Sequence, residues 1–246
     1  MKIIVFGDIH GRDVWKDIIK VEGDADRYVF LGDYVSTHDS NMTSEMQINN
    51  LKDILNWAAE MNKYTPGRVV LLRGNHDMQH LGYSWAKCSG LDWYVQSEMM
   101  QIKEQFLNAT QWVYVDNDIV YCHAGVTKTW MENVDLNNIE DINNMEPSDK
   151  FGFWGKLSDY YGDSKTQGPT WIRPWTLVDD SFGNYTYIVG HTATKHITNF
   201  TEETIKNLPD GETLNSNNDV WTCDCLGVGE YLVVENGKII PVKIEM

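Results

Sequence analysis

Short, unbroken apolar runs punctuate the first part of the chain at 2–6, 28–31 and 69–72, and each reads as a strand buried on both faces. Between them, apolar positions fall at helical spacing. A first helix is expected from about Asp13, with Val14, Ile18 and Val21 on one face. A second opens on a capping-box pattern at Ser44 and Gln47 and carries Ile48, Leu51, Ile54, Leu55 and Ala58. This β-α-β-α-β alternation predicts parallel strands joined by right-handed crossovers. Further on, 78–95 reads as a loop and 97–108 as a helix aligned on Met99, Ile102 and Phe106, while 127–145 reads as helix in two pieces. Strands are expected at 112–115 and 119–122, turning at Asp116-Asn117. Four more follow at 187–190, 219–224, 230–235 and 238–244, the last two joined through Asn236-Gly237, a strong hairpin signal. Residues 146–184 hold Gly, Pro and Trp without a period, as a functional rim or lid does. The pattern as a whole predicts an α/β fold with two packed sheets, parallel-rich in front and antiparallel behind, with helices outside.

Composition narrows the setting. A chain of 246 residues is long enough for a sizeable core, and one domain over 1–246 is expected. Twenty basic against 36 acidic side chains leave a formal charge of −16. That balance disfavours extended contact with nucleic acid or an anionic membrane. It also means that any phosphate site must be made locally from metal ions and a few arginines. No apolar run reaches the ~18 residues of a membrane helix, and the N-terminus enters a strand at once, so no secretory leader is expected. Four cysteines at 88, 122, 223 and 225 are too few and scattered for a disulfide framework. Cys223 and Cys225 read as alternating positions of one strand, and a reducing, cytoplasmic setting is expected.

The chemistry lies where the strands stop. Five apolar runs each end beside a glycine in a residue able to bind a metal. IIVFGDIHG (3–11) delivers Asp8 and His10, YVFLGD (28–33) delivers Asp33, and VVLLRGNHD (69–77) delivers Asn75, His76 and Asp77 next to Arg73. DIVYCHAG (118–125) delivers His123, and YIVGHT (187–192) delivers His191. In α/β sheets the crevice beyond the carboxyl ends of the strands is where ligands bind. Asp8 and His10 face the same way if the chain stays extended, Asp33 is a carboxylate able to bridge two ions, and Asn75, His123 and His191 can complete a second set. Mixed oxygen and nitrogen donors without thiolate suit Mn²⁺, Fe or Zn²⁺. Singly, each residue has an ordinary explanation as a turn, a cap or a hydrogen-bonded strand end. Jointly, those explanations would require five turn accidents that each chose a ligand-type residue.

GDIHG, LGD, RGNHD, HAG and GHT, in that order over residues 7–192, resemble the signature of the calcineurin-like metallophosphoesterase superfamily. The resemblance implies a four-layer α/β/β/α sandwich with two mixed β-sheets and a dinuclear metal centre that activates a bridging water. It implies Asp8, His10 and Asp33 on one divalent ion, and Asp33, Asn75, His123 and His191 on the other, with Mn²⁺ expected and Fe or Zn²⁺ as alternatives. Details lean toward the phosphoprotein-phosphatase branch, including its bacterial and phage members. There the resemblance implies Arg73 as a grip on the phosphate, Arg173 within WIRP (171–174) as a second, and His76 as the group that protonates the leaving oxygen. The chemistry is consistent: a guanidinium fork fits the oxygens of a terminal phosphate, and an alkoxide leaving group needs a donor titrating near neutrality. Arg173 has an alternative as a structural partner of Asp179 or Asp180, and Arg73 as a salt-bridge residue.

Two departures bear on function. The branch reads GD-x-VDRG where this chain has GDYVSTHD, so Ser36 replaces the aspartate that orients the histidine and Thr37 replaces a phosphate-binding arginine. Asp77, Asp39 or His38 could take over the orienting role, and Arg12 the missing clamp. Ala193 stands where phosphodiesterase branches carry a further histidine ligand. The expected activity is hydrolysis of phosphate monoesters on a phosphorylated protein or a small molecule. A phosphodiesterase or a dinucleotide polyphosphate hydrolase is the alternative on the same fold, and a pseudoenzyme scaffold the alternative outside enzymes.

Overall fold

The computed structural model describes residues 1–37, 39–86, 88–152, 164–201 and 219–245. Two five-stranded sheets form the frame. In the first, β1 (Lys2–Phe6), β2 (Arg27–Phe30) and β3 (Val69–Leu71) run parallel, and β9 (Glu230–Glu235) and β10 (Lys238–Lys243) add antiparallel on the β1 edge. In the second, the order is β4 (Val113–Asp116), β5 (Ile119–Cys122), β6 (Thr186–Ala193), β8 (Val220–Asp224) and β7 (Thr198–Phe200). Its centre, β5-β6-β8, is parallel, and only β4 and β7 run antiparallel. The expectation of an antiparallel back sheet is therefore corrected: both sheets are mixed. The C-terminal stretch divides between them, because β9 returns to pair with β1.

Alternation along the strands explains the layering. Ile3 and Val5 of β1, Val29 of β2 and Val70 of β3 pack with Ile119, Tyr121, Ile188 and Cys223 in a core between the sheets. Ile4, Phe6, Tyr28 and Phe30 point the other way, against Trp15 and Ile18 of α1 (Trp15–Glu22) and Ile48, Leu51 and Ile54 of α2 (Ser44–Tyr64). Strands buried on both faces must be apolar throughout, which is why these runs show no alternation.

Several helices differ from expectation for identifiable reasons. In α1 Trp15 rather than Val21 joins the core, and Val21 is 68% exposed. Thr43, not Ser44, caps α2, accepting from the Met46 N–H. Gln47 is then free to reach outward, and its Oε1 accepts from the N–H groups of Ser36 (2.8 Å) and Thr37 (3.2 Å). The stretch expected as a loop at 78–95 begins inside α3 (Asn75–His80) and ends inside α4 (Trp93–Gln101), which Asp92 caps by accepting from Tyr94 and Val95. The helix expected at 97–108 breaks at Ile102, which leaves the helical region at φ −106°, ψ 14°, and resumes as α5 (Lys103–Ala109). Within 127–145 lie α6 (Lys128–Asn133) and a 3₁₀ turn over Ile139–Asn144. The rim expected at 146–184 contains α7 (Pro174–Asp180), and its part at 153–163 lies outside the described residues. Among the described residues no helix is long and apolar enough to cross a membrane.

Candidate metal centre

The carboxyl ends of β1, β2, β3, β5 and β6 meet in one crevice, and each brings a side chain singled out in the sequence. The glycines beside those residues let the chain approach closely. A Cβ on Gly74 would stand 2.1 Å from Asp33 Oδ1, and one on Gly190 would stand 2.0 Å from Asp8 Oδ1. His10, Asp33 and His191 all hold positive φ, at 47°, 50° and 62°. Left-handed backbone at non-glycine residues costs on the order of 1–3 kcal/mol each and clusters at functional sites.

Asp8, Asp33 and His123 place one ligand atom each within 4.8 Å of the others, and so do Asp8, His10 and Asp224. Asp8 is thus common to both groups, whereas Asp33, the expected bridge, falls in one of them. Asn75 Oδ1 lies 2.8 Å from His123 Nε2 and 3.0 Å from His191 Nδ1. On their far sides, His123 Nδ1 meets the Leu31 carbonyl at 2.8 Å and His191 Nε2 meets the Trp171 carbonyl at 3.2 Å. His10 is fixed in the same manner, with Nδ1 3.1 Å from the Val35 carbonyl and Nε2 3.8 Å from Asp8. A backbone carbonyl behind a ring nitrogen sets the tautomer of metal-binding histidines.

This donor set fits a cation. A neutral imidazole has one proton, yet His123 and His191 each face an oxygen acceptor from both nitrogens, so one contact per ring lacks a proton. Protonation does not resolve it: burial pulls His123 down to about 3 and, with the Arg173 charge, holds His191 well below its ordinary value. The carboxylates complain in the opposite sense. Burial, then Asp224 and Asp33, push Asp8 well up, and burial and Asp77 do the same to Asp33. Acids packed together out of water, beside imidazoles that stay neutral, form a site short of positive charge.

The remaining expected residues sort by what they touch. His76 lies at the edge of the cluster, its Nε2 4.0 Å from Asp33 Oδ2 and its ring edge-on to His10 at 5.5 Å, and its N–H donates to Asp33. Arg173 caps the start of α7, and its Nη1 donates to the His191 carbonyl and to Thr192 Oγ1. Asp179 pairs with Lys165, and Asp180 accepts from the Thr129 N–H. Arg73 turns elsewhere. Its Nε and Nη2 donate to Thr110 and to the Leu107 carbonyl, and its guanidinium stands over Trp112 at 4.6 Å. No hydrogen bond or ion pair among the described residues links it to the cluster. The Asp77 carboxylate accepts from the N–H groups of Asp33, Tyr34 and Gly74. Asp39 accepts from Asn41, and His38 lies outside the described residues. Arg12 bonds to the Ile9 carbonyl and lies against Gly227. His80 is fully buried, joining the His76 carbonyl to the Asp92 N–H.

Sequence reasoning missed Asp224. Its signal was present, because β8 is another apolar run ending in an aspartate, but no glycine flanks it. Beside the Asp33 loop opens a cleft of about 590 Å³ lined by Ser36, Thr37, Asp39, Asp92, Trp93 and Tyr94 among others.

The profile of the calcineurin-like phosphoesterase family matches residues 1–203, and the chain belongs to that family. Among curated proteins, it is 30% identical over 148 residues to the catalytic subunit A2 of serine/threonine-protein phosphatase 2B from Saccharomyces cerevisiae. That match takes in 58% of this chain and only 22% of the yeast protein. Among solved structures, a metallophosphoesterase from Sphaerobacter thermophilus aligns with TM-score 0.55 at 14% identity, over 100% of this chain and 89% of that one. A serine/threonine phosphatase from Saccharomyces cerevisiae aligns with TM-score 0.56 at 14% identity, over 100% and 80%. At that identity the two structures speak to the fold: an α/β sandwich of two mixed sheets.

Proposed function

We propose that the chain is a metal-dependent phosphomonoesterase acting on phosphoserine or phosphothreonine in proteins or on a small phosphorylated molecule. The observation that carries this reading is the convergence of Asp8, His10, Asp33, Asn75, His123 and His191, from five strand ends, on one proton-poor cluster. Asp8 and His10, with Asp33, would hold one divalent ion, and Asp33, Asn75, His123 and His191 the other. Mixed oxygen and nitrogen donors without thiolate suit Mn²⁺, with Fe or Zn²⁺ as alternatives. A pair of such ions supplies Lewis acidity toward the phosphoryl oxygens and a water that is nucleophilic at neutral pH.

The chain's own side chains supply the rest. Arg173 puts a guanidinium beside the His191 strand end, where it can take the oxygens of a terminal phosphate. His76, at the rim of the cluster, is placed to hand a proton to the departing alkoxide. The cleft beside Ser36 and Thr37 offers acidic and aromatic groups to whatever the phosphate is attached to. Free cysteines, three of them buried, suit a reducing, cytoplasmic setting.

One observation favours a second reading. With Arg73 committed to α5, fewer guanidinium groups face a doubly charged phosphate, which favours a diester or a dinucleotide polyphosphate. A panel of aryl phosphate, the matching aryl diester, a phosphopeptide and a dinucleotide polyphosphate, assayed with Mn²⁺, decides between them. The monoesters are expected to turn over fastest, and His76→Ala to keep its metal while losing on the order of 10²–10⁴ in rate. Preference for the diester or the polyphosphate would favour the second reading; no turnover of any member would refute both and leave a scaffold.

A further inference from the structure

β8 ends at Asp224, beyond the stretch 1–203 that the family profile covers. The two sheets touch at this point. A Cβ on Gly7 would stand 1.8 Å from the Cys223 carbonyl oxygen and 3.3 Å from the Asp224 nitrogen, so the end of β1 lies directly on the end of β8. The residues that follow, Asp8 on one strand and Asp224 on the other, are held side by side by that backbone contact. An Asp224 carboxylate oxygen lies within 4.8 Å of both the Asp8 carboxylate and a His10 ring nitrogen. Two carboxylates so close, one fully buried, repel each other, and a cation held between them would relieve that repulsion. Within its sheet Asp224 is the register partner of Ala193.

We propose that Asp224 is itself a ligand of the first divalent ion, supplying from β8 a donor where Ala193 on the neighbouring strand has none. This deepens the metal reading above and rests on it. The shell it completes, with Asp8, His10 and Asp33, has three carboxylates to one imidazole, a set for a hard divalent cation such as Mn²⁺ rather than for Zn²⁺. It also explains why a strand outside the motif region ends with an acid turned onto another acid.

Titration of the metal-stripped full chain with Mn²⁺, read by native mass spectrometry and by the electron paramagnetic resonance of the bound ion, tests the assignment. Wild type should take up two ions, and Asp224→Asn should hold one of them at least about tenfold more weakly while keeping the other. Asp219→Asn removes the same charge from the far end of β8 and should change both affinities by less than about twofold. Equal uptake by wild type and Asp224→Asn overturns the role of Asp224 and leaves the paired-ion reading intact. A matching loss in Asp219→Asn also overturns it, by reducing Asp224 to a distant charge. A wild type that binds no ion overturns both. Should Asp224→Asn fail to fold, Asp224→Ser is measured in its place against the same outcomes.

Discussion

A guanidinium buried against a tryptophan and bonded to the end of a helix is held by the fold, and one lodged at a strand end among candidate metal ligands is held by the site. Arg73 is of the first kind: it is 8% exposed, and burial pulls it down to about 10. Arg173 is of the second, bonded to the His191 carbonyl and partly open to solvent. The two substitutions should therefore separate. Arg73→Ala removes charged hydrogen bonds to Thr110 and Leu107 together with a cation–π contact, a loss of about 2–4 kcal/mol in a denaturant titration. Its effect on monoester and diester turnover should be equal. Arg173→Ala should leave stability within about 1 kcal/mol and reduce monoester kcat/KM by tenfold or more on the scale of ~1.4 kcal/mol, with a smaller loss for diesters. A monoester-selective loss in Arg73→Ala would instead mark it as a phosphate grip.

At the scale of elements, the stretch after Asp33 depends on α2. Gln47 is buried and its single oxygen satisfies two backbone N–H groups, those of Ser36 and Thr37, while Ser36 Oγ donates to the Gly90 carbonyl. Gln47→Ala strands those donors at a cost of about 1–3 kcal/mol. Amide exchange at Ser36 and Thr37 should quicken, and metal uptake should stay as in wild type because Asp33 is held separately by the Gly74 helix turn and Asp77. Gln47→Glu keeps the acceptor and should restore slow exchange; fast exchange in both variants would show that the loop is held by other contacts. This arrangement was only half legible in the sequence. The helix itself showed in the spacing from Ile48 to Ala58, but Gln47 looked like a capping residue, since local pattern cannot reveal a partner eleven residues back on another element. The same limit hid the division of the last four strands between two sheets, the break at Ile102, and Arg73 turning to Trp112. What could be read were features that each strand writes into its own neighbourhood: an apolar run, a glycine where a carboxylate must come close, and a ligand-type residue after it. Asp224 lacked the glycine, and so went unseen until the strands were assembled.

For the molecule as a whole, an excess of acids is the main electrostatic fact, with a formal charge of −16 and several carboxylates gathered in the crevice. Asp77 is pushed up to about 7 by burial, against the pull of its backbone donors, and Asp8 and Asp33 are raised as well. A carboxyl group whose folded pKa is raised binds its proton more tightly in the folded chain than in the unfolded one. Its contribution is fully present below the ordinary carboxylate value near ~4 and is lost as pH rises through the folded value. With a chelator present, the melting temperature should therefore fall between about pH 4 and pH 7 on account of these groups. On the proposed reading divalent ions should reverse the trend, because they would bind the ionised carboxylates of the folded state. At a hundredfold excess over the dissociation constant, one ion adds about 2.7 kcal/mol, or roughly 5–10 °C for a chain of this length. The gap between melting curves with Mn²⁺ and with chelator should thus widen from pH 5.5 to pH 8, and Asp33→Asn should shrink it at the higher pH. A gap that is the same at both pH values would mean that the ion binds somewhere other than these acids.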